Sequence, residues 1–345
     1  MIRVGIVGST GYTGAELVRI LSQHPEVEIT ALTSETYVGN RYEQVYPAFQ
    51  GLVEGTCVAS DPARVAQCSD VVFTALPHTK AMECVPYFLK NCRLTVDLSA
   101  DFRLRNREIY ETWYAPHTAP ALLDEAVYGL PEIYRTEISK ARLVANPGCY
   151  PTSAILGAAP LLRGGLIDHQ TLIVNSASGV TGAGRSLTLG SLFCEVNEGM
   201  RAYKVGEHRH TPEMEQEMSQ LHGSPVNITF VPHLVPLNRG ILTTIYARLT
   251  DALSEDLLLD EYEKFYTHEP FVRIRPKSSL PDIRDVKGTN FCDIGVRVDT
   301  RTGRVVVVAA IDNLVKGAAG EAVQNMNVAL GYPETAGLKG PSLFL

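Results

Sequence analysis

Short apolar runs alternate with helical patterns in the first part of the chain. Residues 2–7, IRVGIV, form a β-branched run, a glycine-rich turn follows, and the apolar positions of AELVRILSQH recur with helical spacing. A second strand, EITALTS at 28–34, completes a β–turn–α–β unit. Strands that alternate with helices predict a parallel, doubly wound sheet of the Rossmann type. The further elements predicted here are strands at 70–76, 93–98 and 142–145 and, despite Pro86, a helix at 80–90.

After residue 149 the pattern changes to strands that are separated by short turns. Strand-like runs occur at 171–178, 226–234, 241–249, 271–275, 291–299 and 304–312, with helical patterns at 152–162, 212–221 and 254–266. This arrangement predicts an α+β domain, in which an antiparallel or mixed sheet carries helices on one face. A last helix at about 314–330 is rich in small residues, and we expect it to pack back against the first domain.

Composition and charge narrow the class of protein. Of the 345 residues, 45% are hydrophobic and 20% are charged, which is typical of a globular protein. The net charge of −7 argues against a nucleic-acid binder, which usually carries a basic patch. No run approaches the roughly 20 apolar residues of a membrane-spanning helix, and the N-terminus begins as a strand rather than as a secretory signal, so we expect a cytoplasmic protein. The seven cysteines, without metal spacing, predict free thiols rather than disulfides.

The first glycine turn is a candidate dinucleotide site. Gly8, Gly11 and Gly14 form G-x-x-G-x-x-G between the first strand and the first helix. Glycines at these positions permit a tight turn and a close approach of the backbone to a pyrophosphate, which then faces the helix N-terminus. A glycine turn that binds no ligand is the alternative. The predicted cofactor contacts are the residues of the whole turn, Gly8, Ser9, Thr10, Gly11, Tyr12, Thr13 and Gly14.

The end of the second strand bears on the form of the cofactor. NAD sites usually carry an acidic residue here, whereas this chain has Thr33 and Ser34. These hydroxyls and the nearby Arg41 suit the 2′-phosphate of NADP better than a ribose diol, although Glu35 favours NAD. We therefore predict NADP as the cofactor, with Ser34 and Arg41 as contacts. The alternative for Arg41 is an ordinary surface charge.

The segment NPGCYPT at 146–152 presents a candidate nucleophile. It follows a short strand and precedes a helical pattern, and Thr152 is a predicted N-cap. Cys149 would then lie near a helix N-terminus, a position that lowers the pKa of a thiol and favours the nucleophilic thiolate. The alternative, a buried structural cysteine, is the interpretation that we apply to the other six.

A thiolate nucleophile needs a base, and the segment EHRHTPE at 207–213 offers two imidazoles. Thr211 as N-cap and Pro212 at the first helical position predict a helix start. A helix N-terminus disfavours imidazolium, so a histidine there stays able to accept a proton. His208 and His210 point to the same side of an extended segment, and we prefer His210 as the base. Two histidines at this spacing are also typical of a metal site, but no third ligand cluster accompanies them.

The loop SASGVTGAG at 176–184 follows a predicted strand. Its small residues would let backbone N–H groups approach an anion or the nicotinamide, and Ser178 and Gly179 are the predicted contacts. A connection without a ligand is equally compatible with this composition.

Taken together, these segments resemble the N-acetyl-γ-glutamyl-phosphate reductase family, within the aspartate-semialdehyde dehydrogenase-like superfamily. The resemblance covers nearly the whole chain, and NPGCYPT is its most specific part. In the related aspartate-semialdehyde dehydrogenases Asn usually precedes the cysteine directly, whereas here Gly148 does, which favours the glutamyl branch. The other matching segments are GSTGYTGAELVRIL, DLSADFRL at 97–104, SASGVTGAG, HRHTPEM and NLVKGAAGEAVQNMN at 313–327.

For the fold, the resemblance implies two domains within the α/β class. An NADP-binding Rossmann-type domain would comprise 1–148 and 313–345, and an α+β catalytic and oligomerisation domain would comprise 149–312. The closing segment near Asn313 and Lys316 would return to the cofactor site. The family is usually a homotetramer built from dimers and acts on a small molecule, without nucleic acid or membrane as partners.

For the chemistry, the resemblance implies the NADPH-dependent reduction of N-acetyl-L-glutamyl 5-phosphate to the 5-semialdehyde, a step of arginine biosynthesis, through a cysteine thioester. The family's catalytic cysteine maps onto Cys149 and its histidine onto the pair His208 and His210. Arg103 and Lys204 are expected near the phosphate or carboxylate of the substrate, with ordinary surface pairing as the alternative.

Other functions remain compatible with these residues. The nearest is an aspartyl- or aminoadipyl-type phosphate reductase. A nucleotide-sensing regulator that keeps the fold without the chemistry, and a scaffolding protein, are alternatives from other classes.

Overall fold

A six-stranded parallel sheet forms the centre of the first unit of the protein, which comprises residues 1–147 and 318–339. The computed structural model describes residues 1–343. In chain order the strands are β1 (Ile2–Val7), β2 (Val27–Leu32), β3 (Val71–Thr74), β4 (Leu94–Asp97), β5 (Val127–Tyr128) and β6 (Leu143–Ala145). Their order in the sheet is β2-β1-β3-β4-β6-β5. The predicted Rossmann-type parallel sheet is confirmed.

The strand order explains both the sequence pattern and the place of the glycine turn. All residues of β3 and β4 are buried, which is why these strands read as continuous apolar runs. The chain leaves β1 for β2 on one side of it and then returns to β3 on the other side. The order therefore reverses at the carboxyl end of β1, which is where doubly wound sheets bind ligands. Gly8 follows β1 directly.

Between residues 12 and 138, six helices accompany these strands: α1 (Tyr12–Leu21), α2 (Tyr42–Val45), α3 (Pro62–Cys68), α4 (Ala81–Asn91), α5 (Arg107–Trp113) and α6 (Pro131–Ile138). The hydrophobic pattern does not predict α3, α5 and α6, which are only seven or eight residues long. Their starts nevertheless carry local signals. Asp61 and Asn106 accept backbone N–H groups as N-caps of α3 and α5, and Pro131 begins α6.

A mixed seven-stranded sheet forms the second unit, which comprises 148–317 and 340–343. Its strands are β7 (Ile167–Ser178), β8 (Arg201–Ala202), β9 (Thr229–Leu234), β10 (Ile241–Leu249), β11 (Val272–Ile274), β12 (Cys292–Asp299) and β13 (Arg304–Ile311), in the order β11-β12-β13-β10-β7-β9-β8. The helices are α7 (Cys149–Arg163), α8 (Phe193–Val196), α9 (Thr211–His222) and α10 (Glu255–Phe265). Pairing is antiparallel except between β11 and β12 and between β7 and β9. The predicted α+β class is confirmed.

Helix α7 is the core of this second unit, and nearly all of its residues are buried. Pro160 lies inside it and has no N–H, so the carbonyl of Leu156 loses its helical donor. The hydroxyl of Tyr266 donates to that carbonyl at 2.6 Å instead. A side chain from beyond α10 thus repairs the backbone defect, and the helix that begins at Cys149 continues to Arg163.

The last helix is shorter than the pattern predicts. Residues Val315–Ala319 form a π-helical turn, and only α11 (Gly320–Leu330) is α-helical. The carboxylate of Asp312 accepts the N–H groups of Leu314 and Val315 and so anchors the turn. As expected, α11 packs in the first unit, against α1, α6 and β4.

The boundaries of the two units differ from the boundaries predicted for the two domains. Residues 313–317 and 340–343 belong to the second unit, not to the one with the glycine turn. The physical reason is hydrogen bonding, since Gly317 N–H donates to Asp312 and Leu343 N–H donates to Lys287. Across the described part of the chain, every helix is too short or too polar to cross a bilayer.

Candidate active site

Close backbone packing explains two of the three glycines in the first turn. Gly8 has a φ of +85°, and a Cβ there would lie 2.4 Å from the carbonyl oxygen of Ala75. A Cβ on Gly14 would lie 2.2 Å from the carbonyl oxygen of Gly8. Gly11 differs, because a Cβ there would make only an ordinary 3.7 Å contact. Gly11 instead serves as the N-cap of α1.

The end of β2 holds this turn in place. Thr33 accepts the Gly8 N–H through Oγ1 at 3.0 Å and the Ser9 N–H through its carbonyl at 2.9 Å. The hydroxyls of Thr10 and Ser34 lie 2.8 Å apart. Hydrogen bonds between β2 and the turn therefore fix the turn before any ligand binds.

Two tyrosines that the sequence reasoning missed hold the turn from a second direction. Tyr42 donates to the carbonyl of Ser9 at 3.0 Å, and Tyr46 donates to the carbonyl of Thr10 at 2.9 Å. Both belong to the segment around α2, more than thirty residues away in sequence. The segment RYEQVYPAFQ at 41–50 has no helical or strand periodicity that would indicate such a contact.

The residues of this turn fit a dinucleotide. Helix α1 begins at Tyr12, directly after the turn, and within the described chain its first turn carries no acidic side chain. The positive end of the helix dipole and the first amides can therefore face a pyrophosphate.

The residues after β2 bear on the choice between NADP and NAD. The carboxylate of Glu35, which favoured NAD, accepts the Ser60 N–H at 3.1 Å. The hydroxyls of Thr33 and Ser34 are buried, and they bond the Gly8 N–H and the Thr10 hydroxyl. Arg41 pairs with Glu43 at 2.9 Å, and its side chain is 61% exposed. This is the surface pairing that we considered as the alternative for Arg41, although an exposed guanidinium is still accessible to a phosphate.

The nucleophile turn, residues 148–152, lies in the second unit, and its helix starts earlier than predicted. Cys149 is the first residue of α7 and Gly148 is the N-cap, so Thr152 is not the cap. The Thr152 hydroxyl and N–H both bond the carbonyl of Gly148. Pro151 is compatible with the first turn of a helix, where no N–H is needed. Cys149 therefore lies at the helix N-terminus itself, half-buried, where the dipole favours a thiolate.

The surroundings of Cys149 are tightly packed on one side. A Cβ on Gly317 would lie 2.8 Å from the Cβ of Cys149, so only glycine allows the π-helical turn to approach this closely. On another side, the carboxylate of Glu213 in α9 accepts the Gly148 N–H at 2.7 Å. Sequence reasoning missed Glu213, although it lies in the segment HRHTPEM.

The histidine helix also begins differently. Its first residue is Thr211, with His210 as the N-cap and Pro212 at the second position, so Thr211 is not the cap. The carbonyl of His210 accepts the Met214 N–H at 3.1 Å, which closes the first turn one residue earlier than predicted. His210 thus occupies the cap position itself.

Ring contacts bring the two histidines to the nucleophile turn. The ring of Tyr150, next to Cys149, lies 5.4 Å from that of His208 and 5.9 Å from that of His210. The two imidazoles are 4.9 Å apart. The two predicted imidazoles and the ring of Tyr150, the residue after Cys149, therefore form one cluster in the structure.

The two histidines differ in their surroundings. The Nδ1 atom of His208 accepts the backbone N–H of His210 at 3.1 Å, and the rings of Tyr203 and Phe230 pack edge-on against it. Burial, followed by the charges of Lys204 and Arg209, lowers the pKa of His208 to about 4. His208 therefore stays neutral at physiological pH.

Tyr150 and Tyr203 form a hydroxyl pair beside this cluster. Their oxygens lie 2.9 Å apart, and burial raises the pKa of Tyr203 to about 12. Lys204, which follows Tyr203, is exposed and has a φ of +46°, an uncommon conformation for a residue with a Cβ. Such strain is concentrated at functional sites in proteins.

The loop at 176–184 is fixed by its neighbours. The N–H groups of Gly179, Val180 and Thr181 donate to carbonyls of residues 237–240. Asn313 bridges the two segments, since it accepts the Gly240 N–H at 2.7 Å and donates to the Thr181 hydroxyl at 2.9 Å. These three amides therefore donate hydrogen bonds within the protein. The expectation that they approach an anion is corrected. Contacts of a cofactor with Ser178, Gly179 and Asn313 stay predictions.

Arg103 and Lys204 have different environments. Arg103 is buried, and its Nε donates to the carbonyl of Asn146 at 2.7 Å while Nη2 donates to that of Leu98 at 2.8 Å. It therefore holds the chain that leads from β6 into the nucleophile turn. Lys204 is exposed, and its charge acts on the ring of His208.

The histidine pair lacks the further ligands of a metal centre. Among residues 1–343, no group of three or more His, Cys, Asp or Glu side chains is placed to hold a metal ion.

Comparison with known proteins defines the class. Residues 3–141 match the family profile described as semialdehyde dehydrogenase, NAD binding domain, and residues 149–313 match semialdehyde dehydrogenase, dimerisation domain. The crystal structure of an aspartate semialdehyde dehydrogenase with NADP from Candida albicans shares the fold, with a TM-score of 0.70 and 16% identity over 95% of this chain and 98% of that chain. The glycine turn, Cys149 and the two histidines thus lie on the scaffold of a semialdehyde dehydrogenase-type oxidoreductase.

Full-length relatives narrow this class to one branch. The N-acetyl-gamma-glutamyl-phosphate reductase of Citrifermentans bemidjiense is 56% identical over 339 residues, 98% of each chain. The enzyme of the same name from Geobacter metallireducens is 56% identical over 345 residues, the whole of both chains. The chain belongs to the N-acetyl-γ-glutamyl-phosphate reductase family, which confirms the resemblance found in the sequence.

Proposed function

We propose that this protein reduces N-acetyl-L-glutamyl 5-phosphate to N-acetyl-L-glutamate 5-semialdehyde with NADPH, a step of arginine biosynthesis. The observation that carries this proposal is the position of Cys149 as the first residue of a helix whose next residue, Tyr150, packs against two imidazoles. The two full-length relatives that are 56% identical to this chain are named N-acetyl-gamma-glutamyl-phosphate reductase, which is the enzyme of this reaction.

Cys149 acts as the nucleophile. The helix dipole and a neighbouring imidazole favour its thiolate, which attacks the acyl carbon of the acyl phosphate. The carbon–oxygen bond to phosphate breaks, phosphate leaves and a thioester forms on Cys149. Reduction of the thioester gives a thiohemiacetal oxyanion, which collapses to the aldehyde as the thiolate departs.

Helix α7 also supplies groups that stabilise the developing oxyanion. Pro151 has no N–H, the Thr152 N–H donates to Gly148, and the Gly148 N–H donates to Glu213. Cys149 is the first residue of α7, so the positive end of the helix dipole lies at the reacting sulfur. We infer that this helix start faces the oxyanion.

NADPH, when bound, supplies the hydride that reduces the thioester. The glycine turn would hold the pyrophosphate at the start of α1, and Ser34 and Arg41 would contact the 2′-phosphate. The proposed contacts are Gly8, Ser9, Thr10, Gly11, Tyr12, Thr13, Gly14, Ser34, Arg41, Ser178, Gly179 and Asn313.

His210 is the better candidate for the acid/base. A ring whose pKa is about 4, as for His208, holds almost no proton at pH 7 and is a weak base. The Nδ1 of His208 is also occupied by the His210 N–H. We therefore assign proton transfer to His210, which takes the thiol proton and later supplies one as the thiolate leaves, and a positioning role to His208.

Local positive charge must attract the acidic substrate, since the chain has a net charge of −7. Lys204 is exposed and its charge reaches His208, so we favour it as a contact for the phosphate or carboxylate. Arg103 stays a candidate, but the hydrogen bonds of its Nε and Nη2 to backbone carbonyls favour a role in shaping the turn.

Oligomers form through the second unit, whose residues 149–313 match a dimerisation domain. We infer a dimer of dimers in the cytoplasm. Large apolar side chains that are exposed between residues 187 and 205 support association with a second copy, since monomers rarely expose such patches. They are Leu187 (91% exposed), Leu189, Leu192, Phe193 (77%), Met200 and Val205. The mass in solution, measured by light scattering, tests the tetramer.

The covalent step is tested by Cys149→Ser, because a serine hydroxyl is a much weaker nucleophile than a thiolate. We expect turnover to fall by at least about 10³-fold while NADPH still binds in a fluorescence titration. Cys194 is exposed, so the interpretation as a buried structural cysteine is wrong for this residue. Cys194→Ser removes a thiol of the same unit and is the matched control. A Cys149→Ser enzyme with near-normal turnover would remove the thioester from the proposal.

Substrate identity is tested in the reverse direction by phosphate-dependent NADP reduction. We expect N-acetylglutamate semialdehyde to be preferred over aspartate semialdehyde and the aminoadipate analogue. A preference for either of the other two would assign the chain to a rival reductase, and a failure to bind NADPH would favour a scaffolding role.

A further inference from the structure

Glu213 is a buried carboxylate that the proposed reaction does not use. Only 1% of its surface is exposed, and it is the third residue of α9. A carboxylate so deeply buried requires hydrogen-bonded partners to offset its lost hydration. One of them is the N–H of Gly148, at 2.7 Å from Oε1.

This hydrogen bond joins the starts of the two helices that carry the reacting groups. Gly148 is the N-cap of α7 and directly precedes Cys149. His210 is the N-cap of α9, three residues before Glu213. The positive dipole ends of both helices therefore converge on the carboxylate, and both stabilise its negative charge. The bond spans 65 residues of sequence.

We propose that Glu213 is a positioning residue that sets the Cys149 sulfur relative to the imidazole of His210. Proton transfer between thiol and imidazole requires hydrogen-bond distance, and a displacement of about 1 Å is enough to lower a rate roughly 100-fold. The readout in turnover rests on the proposed function. The reactivity of the Cys149 thiol does not, because it can be measured without the substrate.

The same helix offers a matched control. Glu215 is half-buried, and its Oε1 accepts the N–H of Ile228 at 3.1 Å. It thus also joins α9 to another segment through a backbone amide, but at the approach to β9 and not at Gly148. Substitution of Glu215 therefore shows the effect of losing a carboxylate–amide hydrogen bond on α9 while the Glu213–Gly148 bond is kept.

The experiment compares Glu213→Ala, Glu213→Gln and Glu215→Ala. It measures kcat, KM for NADPH and the rate at which iodoacetamide alkylates Cys149 between pH 6 and 9, read by mass spectrometry of the peptide that contains Cys149. For Glu213→Ala we expect both kcat and the alkylation rate at pH 7 to fall by at least about tenfold, with KM for NADPH unchanged within about twofold. Glu213→Gln keeps an oxygen acceptor for the Gly148 N–H, so it should restore most of both rates.

The result that overturns the proposal is equal behaviour of Glu213→Ala and Glu215→Ala, or a loss of thermal stability in Glu213→Ala without a change in alkylation. If Glu213→Ala does not fold, Glu213→Asp keeps the charge but withdraws the acceptor by one methylene, and the same rates decide. A wrong substrate assignment would abolish turnover in all variants, including wild type, and would leave the alkylation comparison intact.

Discussion

Substitution of His208 by asparagine tests the division of labour between the two histidines. The Oδ1 of asparagine can take the place of Nδ1 and accept the His210 N–H, so the local backbone is retained. Asparagine does not titrate, however. The substitution therefore removes the proton-binding property of His208 while it keeps the hydrogen bond that positions His210.

The magnitude follows from the lowered pKa of His208. Burial and the charges of Lys204 and Arg209 bring this pKa from 6.5 to about 4 in the folded protein. The unfolded chain therefore binds the proton more readily, and wild-type stability falls as the pH drops below about 6.5 and levels off below about 4. At pH 5, proton binding by His208 favours the unfolded chain over the folded protein by a factor of about 30. This factor corresponds to a free energy of unfolding that is lower by about 2 kcal/mol. At pH 7.5 the same difference is close to zero.

Urea unfolding at pH 7.5 and pH 5 measures this effect. Between pH 7.5 and pH 5, we expect the free energy of unfolding to fall by about 2 kcal/mol less in His208→Asn than in wild type. We also expect its kcat at pH 7.5 to stay within about tenfold of wild type, whereas His210→Asn should lose about 10² to 10⁴-fold. Equal pH sensitivity of wild type and His208→Asn would refute the lowered pKa. A larger loss of kcat in His208→Asn than in His210→Asn would reverse the assignment of the base.

Two further substitutions test the glycine turn and Arg103. Gly14→Ala places a Cβ 2.2 Å from the Gly8 carbonyl oxygen and so displaces the turn. We expect NADPH affinity, measured by fluorescence titration, to fall at least about tenfold. Unchanged affinity would mean that the turn does not hold the cofactor. Arg103→Met keeps the apolar stem but leaves the carbonyls of Asn146 and Leu98 without these donors. We expect unfolding to become easier by about 2 to 4 kcal/mol with little change in KM for the acyl phosphate, whereas a raised KM at unchanged stability would place Arg103 on the substrate.

Much of the fold can be read from local sequence. The apolar runs at 241–249 and 304–312 predict β10 and β13 to within a residue, because alternation along a strand depends only on which face is buried. The strand–turn–helix order around Gly8 likewise predicts the parallel sheet. Short helices such as α3 are not predicted by periodicity, since seven residues contain too few apolar repeats to define a face.

The candidate site is only partly predictable for a related reason. The turn at Cys149 and the helix start near His210 carry local signals, proline and glycine above all. The starts of α7 and α9 are nevertheless misplaced, because Pro151 and Pro212 are compatible with several positions in a first turn. Which residue becomes the cap is decided by the hydrogen bonds of the folded chain.

The sequence alone determined the two fold classes, the family, the glycine turn and the choice of Cys149 and two histidines as candidate catalytic residues. Each of these was read from short segments of the chain. Only the tertiary structure decides that Tyr42 fixes the glycine turn, that Glu213 ties the two helix starts together and that His208 is held neutral. These features depend on hydrogen bonds between distant segments and on burial, and neither of them leaves a periodic or local trace in the order of amino acids.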